Sequence, residues 1–414
     1  MKVILDVSVL GLGYYYEKSR TGVFRVVEQL AGGLADSNEL DLTFSANQQL
    51  PAAIRYIRET LNDEETPFAH RNDQIMLGNV KNIIMKNFPH NSFPQKAFRK
   101  IISKIQPADF QLAKSLINGS NIFHSPYFPI PRPLSVYPGI KKIVTVHDLI
   151  PVKHPHFFSF QTDHVIKKVV ESISPDDFAF CVSESTKADL CELSDITEDR
   201  IFVNHLAASP DIFYQEKQPS RIRKALQKYH IPEENPYFLS ICTLEPRKNV
   251  DSVIRSFVNL VEQEKIKDLN LVLVGTKGWD FDKIFEEIDG AKSVKNRIIV
   301  TGYADDEDLA SIYSGAMAFV YVSICEGFGL PPLEAMQCGV PVIASNTTSL
   351  PEVVGDAGIL VTPTDQDAIS HAMYQIYHNA QYRISLSQKS LERARLFTWQ
   401  KFIDKTVETY QIIS

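Results

Sequence analysis

The sequence predicts an α/β protein made of two parallel-sheet domains that face a cleft. Three observations carry this expectation. Short runs rich in Val, Ile and Phe alternate with amphipathic segments along the chain, the pattern of repeated β-α units. The chain has 414 residues, too many for one comfortable core, so two domains are expected. The stretch from Ala318 to Met336 reads as buried strand, glycine turn and helix in direct succession. Open parallel sheets hold their ligands at such junctions.

Taken in order, residues 2–10 predict a first strand ended by Gly11 and Gly13, and helical spacing of apolar residues predicts a helix from Val23 to about Leu34. Strands are expected at 121–126 and 142–151, each ending in polar residues and proline. Another is expected at 178–182, with Ser183, Ser185 or Thr186 as the cap of the helix behind it. Residues 201–206 close the first sheet. Pro219, Pro232 and Pro236 flank a short charged helix, 221–229, and mark the crossing between domains. The second sheet is expected from 237–242, 269–275, 297–301, 318–324, 340–344 and 358–361. The domains are therefore 1–214 and 215–397, followed by a terminal helix in 398–414.

Composition removes several function classes. A chain that is 44% hydrophobic and 22% charged is globular, and a net charge of −7 argues against nucleic acid as a partner. No run of apolar residues is long enough to span a membrane, and the N-terminus meets Asp6 without a secretory h-region. Cys181, Cys191, Cys242, Cys325 and Cys338 contain no C-x-x-C pair, so buried reduced thiols in a cytoplasmic protein are expected. Cys325 is read as structural although it precedes Glu326. Between residues 80 and 115, Lys81, Lys86, Lys96, Arg99, Lys100, Lys104 and Lys114 face one acid, Asp109, with Ile and Phe interleaved. That segment is either a set of helices with a solvated basic face or a peripheral contact with the anionic inner face of the membrane. No metal is expected. The Asp-x-Asp triplets at Asp280 and Asp365 read as solvated, and His147, Asp148, His154, His156, Asp163 and His164 fit no compact zinc pattern.

The chemistry concentrates in 318–336. Gly327 and Gly329 let the backbone approach a ligand without a side chain in the way, and Pro331 and Pro332 suit a first helical turn. Free N–H groups and the helix dipole then face an anion. Glu326 and Glu334 bracket the turn, and ionised carboxylates accept hydrogen bonds from hydroxyls. An anion flanked by hydroxyls describes a nucleotide-sugar.

Glu326 and Glu334 fit the Glu-x7-Glu motif of retaining glycosyltransferases, and the text from Thr301 to Val361 resembles glycosyltransferase family 4. The resemblance implies the GT-B architecture, two Rossmann-like domains with the donor held mainly by the second, and a terminal helix that crosses back to the first. It implies that Glu326 approaches the donor sugar, Glu334 holds the ribose, and the backbone of Gly327, Phe328, Gly329 and Leu330 binds the distal phosphate. His147, within Thr-Val-His-Asp-Leu-Ile-Pro, matches the family histidine that contacts the donor sugar, with Asp148 in support. The loop from Thr243 to Asn249 resembles the diphosphate-binding segment: Lys248 matches the family lysine, and Arg247 replaces an arginine often found at the position of Thr243. Gly22 matches the N-terminal glycine loop, although Phe24 stands where a second glycine is common. Arg25 reads equally as part of that loop or as a solvated helix residue. Gly302 and Tyr303 border the base by the same resemblance.

The resemblance thus implies a retaining, metal-independent hexosyltransferase without a cofactor, its substrates being a nucleotide-diphosphate sugar and a glycan or lipid-linked acceptor. Its loops look most like mannosyl- and rhamnosyl-type transferases of surface polysaccharides, so GDP-mannose is the first expected donor. A nucleotide-sugar 2-epimerase of the same architecture and a non-catalytic sugar-nucleotide-binding partner remain as alternatives.

Overall fold

The computed structural model describes residues 1–15, 20, 22–70, 112, 117, 119–158 and 164–414. Among them, strands β1 (Lys2–Asp6), β2 (Asp41–Ser45), β3 (Ile122–Ser125), β4 (Lys141–Val146), β5 (Phe178–Cys181) and β6 (Ile201–Val203) form one sheet in the order β2-β1-β3-β4-β5-β6. Strands β7 (Tyr237–Ile241), β8 (Asn270–Val274), β9 (Ile298–Gly302), β10 (Ala318–Tyr321), β11 (Val342–Ser345) and β12 (Gly358–Val361) form a second, in the order β12-β11-β10-β7-β8-β9. Pairing within both sheets is parallel. The expected α/β fold of two parallel sheets is therefore present.

The strands are apolar on both faces because helices cover both faces. In β10, Phe319 and Tyr321 join a core that continues through Phe213 and Phe397 into the first lobe. Val320 and the adjoining Val322 enter a separate core under the helix Val250–Gln263. In the second sheet β7 lies between β8 and β10, so the connections leaving β7 and β10 diverge to opposite faces. In open parallel sheets ligands sit beyond the C-terminal strand ends at such a point, and the candidate site lies there.

Several expected strands are shorter than their ranges: 142–151 is strand only to Val146, with a helical turn from Ile150, and 201–206 only to Val203. Residues 2–10 divide into β1 and a helix, Ser8–Tyr15. Asp6 ends the strand by accepting the N–H of Ser8 at 2.8 Å. Gly11 and Gly13 lie inside that helix because of close packing: a Cβ on Gly11 would lie 2.8 Å from Gln49, and one on Gly13 would lie 2.1 Å from the Phe24 ring. A short apolar run does not by itself separate strand from helix. Likewise 318–324 is strand only to Tyr321, after which Ile324 N–H turns to the Arg247 carbonyl, 2.9 Å away. Cys191 is exposed rather than buried, while Cys181, Cys325 and Cys338 are buried. Of residues 80–115 the described ones include only Leu112, so the basic segment lies outside them. No helix among the described residues is long and apolar enough to cross a membrane.

The terminal helix Trp399–Ile413 packs on the helix Gly22–Ala35, where Gly33 leaves room for Ile403. Its Tyr410 hydroxyl hydrogen-bonds Nδ1 of His124 in β3 at 2.6 Å, and Thr145 Oγ1 sits 2.8 Å from Nε2. Burial lowers the His124 pKa to about 3, so the ring is neutral and depends on these two partners. Tyr410→Phe should therefore cost about 1–3 kcal/mol, the penalty for a buried polar group left unpaired. Urea denaturation measures this, and an unchanged midpoint would show that the bond does not anchor the helix.

Candidate functional site

The site is built where two loops lace together. After β7, Cys242 N–H donates to the Val274 carbonyl, and Gly275 (φ 146°) passes so close that a Cβ there would lie 1.8 Å from the Cys242 oxygen. The chain then turns through Pro246–Lys248 to Asn249 (φ 57°), whose amide donates to the Val322 and Pro363 carbonyls at 2.9 and 2.8 Å. This lacing delivers Arg247 and Lys248 to the turn after β10. Lys248 Nζ lies 2.6 Å from Glu326 Oε1, and Arg247 Nη1 lies 3.0 Å from Glu326 Oε2. Arg247 also donates to the Cys325 carbonyl at 2.9 Å and to Glu245 at 2.8 Å. Burial alone would raise the Glu326 carboxyl, but the two cations outweigh it and bring it down to about 2. Glu326 is thus a largely buried carboxylate held in its ionised form at neutral pH.

Behind it, Gly329 (φ 117°) precedes the helix Leu330–Gln337, with Pro331 and Pro332 in its first turn. Among the described residues none accepts from the N–H groups of Gly327, Phe328, Gly329 and Leu330. Phe328 contributes only backbone to the turn, since its ring packs between His205 and Phe397. Glu334 accepts from Tyr313 Oη at 3.1 Å, and burial raises its carboxyl to about 7 despite the nearby Arg25. Arg25 reaches across the cleft and holds both oxygens of Asp306, at 2.8 and 2.6 Å, so its solvated reading is excluded. Gly302 (φ 77°) ends β9, and Tyr303 beside it is 64% exposed.

The opposing lobe touches the same turn. A Cβ on Gly327 would lie 2.0 Å from the His147 carbonyl and 2.7 Å from Asp148 Cβ, so only glycine fits there. His147 Nε2–H donates to the Pro126 carbonyl at 2.8 Å, and burial lowers its pKa to about 4, leaving a neutral ring. Burial raises the Asp148 carboxyl, which feels Arg247 and Glu326 across the gap. Gly22 faces Leu330: a Cβ on it would meet Leu330 Cδ1 at 3.1 Å.

The structure therefore gathers His147, Glu326, Arg247, Lys248 and the 327–330 turn, with Gly22 at its edge. Glu334, Gly302 and Tyr303 line the side toward β9. Sequence reasoning missed Tyr321, whose hydroxyl contacts both Lys248 and Glu326 at 2.6 and 2.8 Å. It read Ser183 and Thr186 only as caps. Ser183 does cap the helix Glu184–Leu193, but Ser183 and Thr186 also donate to the Gly327 carbonyl at 2.6 and 3.0 Å. Glu352 from the second lobe accepts from the N–H groups of Glu184 and Ser185 at 2.8 and 2.9 Å. The only local signal for these contacts was the cap motif itself.

Other candidates resolve into structural roles. Asp365 caps the helix Gln366–His378 by accepting from Ala368 N–H at 2.9 Å. Burial pushes the Cys325 thiol up to about 12, which removes it as a nucleophile. Among the described residues, only Asp305, Glu307 and Asp308 come together at metal-ligand spacing, and Lys228 already pairs with all three.

The raised Glu334 pKa has a pH consequence. The group holds its proton more tightly folded than unfolded, so its contribution is fully present below the usual 4.5 and lost as pH rises through about 7. Compared with Glu334→Gln, the parent should lose about 2 kcal/mol of stability between pH 5 and 8, after allowance for partial exposure. Urea midpoints at the two pH values measure this, and a constant difference between the proteins would contradict the assignment.

Comparison with known proteins gives the family and the fold. The model of the family described as glycosyl transferases group 1 matches residues 221–393. O-antigen chain mannosyltransferase B of Escherichia coli is 35% identical over 296 residues, covering 70% of this chain and 74% of that protein. The serotype-specific mannosyltransferase WbdA of Escherichia coli is 26% identical across 99% of this chain, which spans about half (48%) of WbdA's length. A glycosyltransferase from Rickettsia africae shares the fold, with a TM-score of 0.68 at 18% identity over 100% of this chain and 98% of that one. The fold is GT-B, and the chain belongs to the glycosyl transferases group 1 family.

Proposed function

We propose that this protein is a retaining, metal-independent hexosyltransferase that moves mannose from GDP-mannose to a glycan or lipid-linked acceptor. One observation carries the reading: a largely buried carboxylate, Glu326, is clamped by Arg247 and Lys248 at the strand ends, next to Gly327, where the His147 backbone of the other lobe closes in. The two cations match the charge of a diphosphate, and unpaired turn N–H groups beside them suit its distal phosphate. Mannose is favoured because the two similar Escherichia coli proteins are mannosyltransferases by name. Inner-membrane docking through 80–115 and a cytoplasmic location remain expectations of the sequence alone.

In this mechanism the bond from the sugar anomeric carbon to the diphosphate oxygen breaks first. Charge grows on the diphosphate, where Arg247 and Lys248 stabilise it more in the transition state than in the ground state. Released from those cations, Glu326 stabilises the positive anomeric centre, and neutral His147 orients the sugar. The acceptor hydroxyl then attacks from the face the diphosphate leaves. Its proton passes to the departing diphosphate oxygen as the new bond forms, so configuration is kept. Glu334 accepts hydrogen bonds from the ribose hydroxyls, the more strongly as its ionised fraction grows with pH rising through about 7.

The test is NMR of GDP-, UDP-, dTDP- and ADP-hexoses incubated with enzyme and an oligomannose acceptor in EDTA. GDP-mannose should be consumed and an α-mannoside formed. A β-product, or activity lost to the chelator, would contradict the mechanism. Glu326→Gln should lower kcat by about 100-fold or more while GDP binds equally or more tightly, because Arg247 and Lys248 lose their charged partner. Unchanged kcat would remove Glu326 from the chemistry.

A further inference from the structure

We propose that Tyr321 is a positioning residue whose hydroxyl holds the Glu326 carboxylate in place once Lys248 and Arg247 turn to the donor diphosphate. This rests on the transferase reading above and goes beyond it to a residue that reading leaves unused.

The geometry is a closed triangle. Lys248 Nζ lies 2.6 Å from both the Tyr321 hydroxyl and Glu326 Oε1, and the hydroxyl donates to Oε1 at 2.8 Å. A phenol has one proton and two lone pairs, so Tyr321 accepts from the ammonium while it donates to the carboxylate. Burial, reinforced by the Glu326 charge, pushes the phenol well above its usual range, so the proton stays on oxygen.

The three members differ in freedom to move. Tyr321 is the last residue of β10, is 2% exposed, and stacks on Phe319 with ring centroids 5.7 Å apart at 18°. Phe319 is packed in turn against Tyr313. The hydroxyl is therefore fixed by the sheet. Lys248 sits in a loop on a flexible four-carbon stem and can swing its charge to a phosphate. When it does, a carboxylate without a fixed donor would follow the cations toward the diphosphate, away from the anomeric centre. Tyr321 supplies a fixed, uncharged donor at Oε1, with the Ser323 hydroxyl also near the carboxylate, and binds Glu326 without competing for the diphosphate's cations.

The test is a double-mutant cycle of Tyr321→Phe and Glu326→Gln with GDP-mannose, reading kcat, donor KM, GDP affinity and melting temperature. Phenylalanine removes one oxygen and keeps the ring in its stack, and the melting curve verifies the fold. Tyr321→Phe should lower kcat about 10- to 100-fold, the range for a hydrogen bond to a charged group. Donor KM and GDP Kd should stay within about twofold, and in the Glu326→Gln background the further loss should shrink to about twofold or less. A kcat near the parent's would overturn the proposal. So would a full loss repeated in the Glu326→Gln background, which places the effect elsewhere. GDP binding weakened as much as kcat would show that the hydroxyl serves Lys248 instead. A parent inactive on every donor sinks the transferase reading itself, whereas an active parent with any of these three outcomes sinks only the role of Tyr321.

Discussion

A carboxylate and two cations, all largely withdrawn from water, are held together at the ends of two parallel strands. Burying such charges is costly unless each finds a partner, and removing one partner typically costs several kcal/mol. Glu326 meets this condition with Lys248 and Arg247, and Arg247 meets it further with Glu245 and the Cys325 carbonyl. Lys248 and Glu326 are 78 residues apart in sequence. They meet because β7 and β10 are neighbours at the point where the connections diverge, so the loops after both strands lie side by side. Much else in the second lobe serves this meeting, including the left-handed Asn249 and the close approach of Gly275 to Cys242.

The contact between the lobes falls on the same few residues. The N-terminal end of the helix Glu184–Leu193 donates through Ser183 and Thr186 to the Gly327 carbonyl, and through its backbone to Glu352. Arg25 and Asp306 close the cleft farther along. Glu352 gains from the helix dipole as well as from hydrogen bonds, since a carboxylate at a helix N-terminus is favoured. Lobe closure and the placement of Glu326 are therefore coupled through the residue next to it. A lobe that opens must release the Gly327 carbonyl and so loosen the turn that carries the carboxylate.

Much of this could be read from the chain. The order of strands and helices in the second lobe, the strand–glycine–helix junction and the Arg247-Lys248 loop all carry strong local patterns, and each lies where those patterns put it. What escaped reading depends on partners distant in sequence. Tyr321 stands in an apolar strand, where an aromatic residue ordinarily means packing, and its hydroxyl acquires a function only beside Lys248. Ser183 looks like a cap because it is one; its second bond, to Gly327, crosses between lobes. The helix Ser8–Tyr15 was hidden because its glycines look like breakers, although they serve close packing against Gln49 and Phe24. Arg25 carried no pattern that could separate solvent from Asp306.

The central claim is that Arg247 and Lys248 serve Glu326 and the donor diphosphate in turn. A crystal structure with GDP tests it most directly. The account predicts diphosphate oxygens within hydrogen-bonding distance of both cations and of the 327–330 turn, with Lys248 moved off Glu326 and the carboxylate still held by Tyr321. A diphosphate bound elsewhere, with the Lys248–Glu326 pair intact, would contradict it.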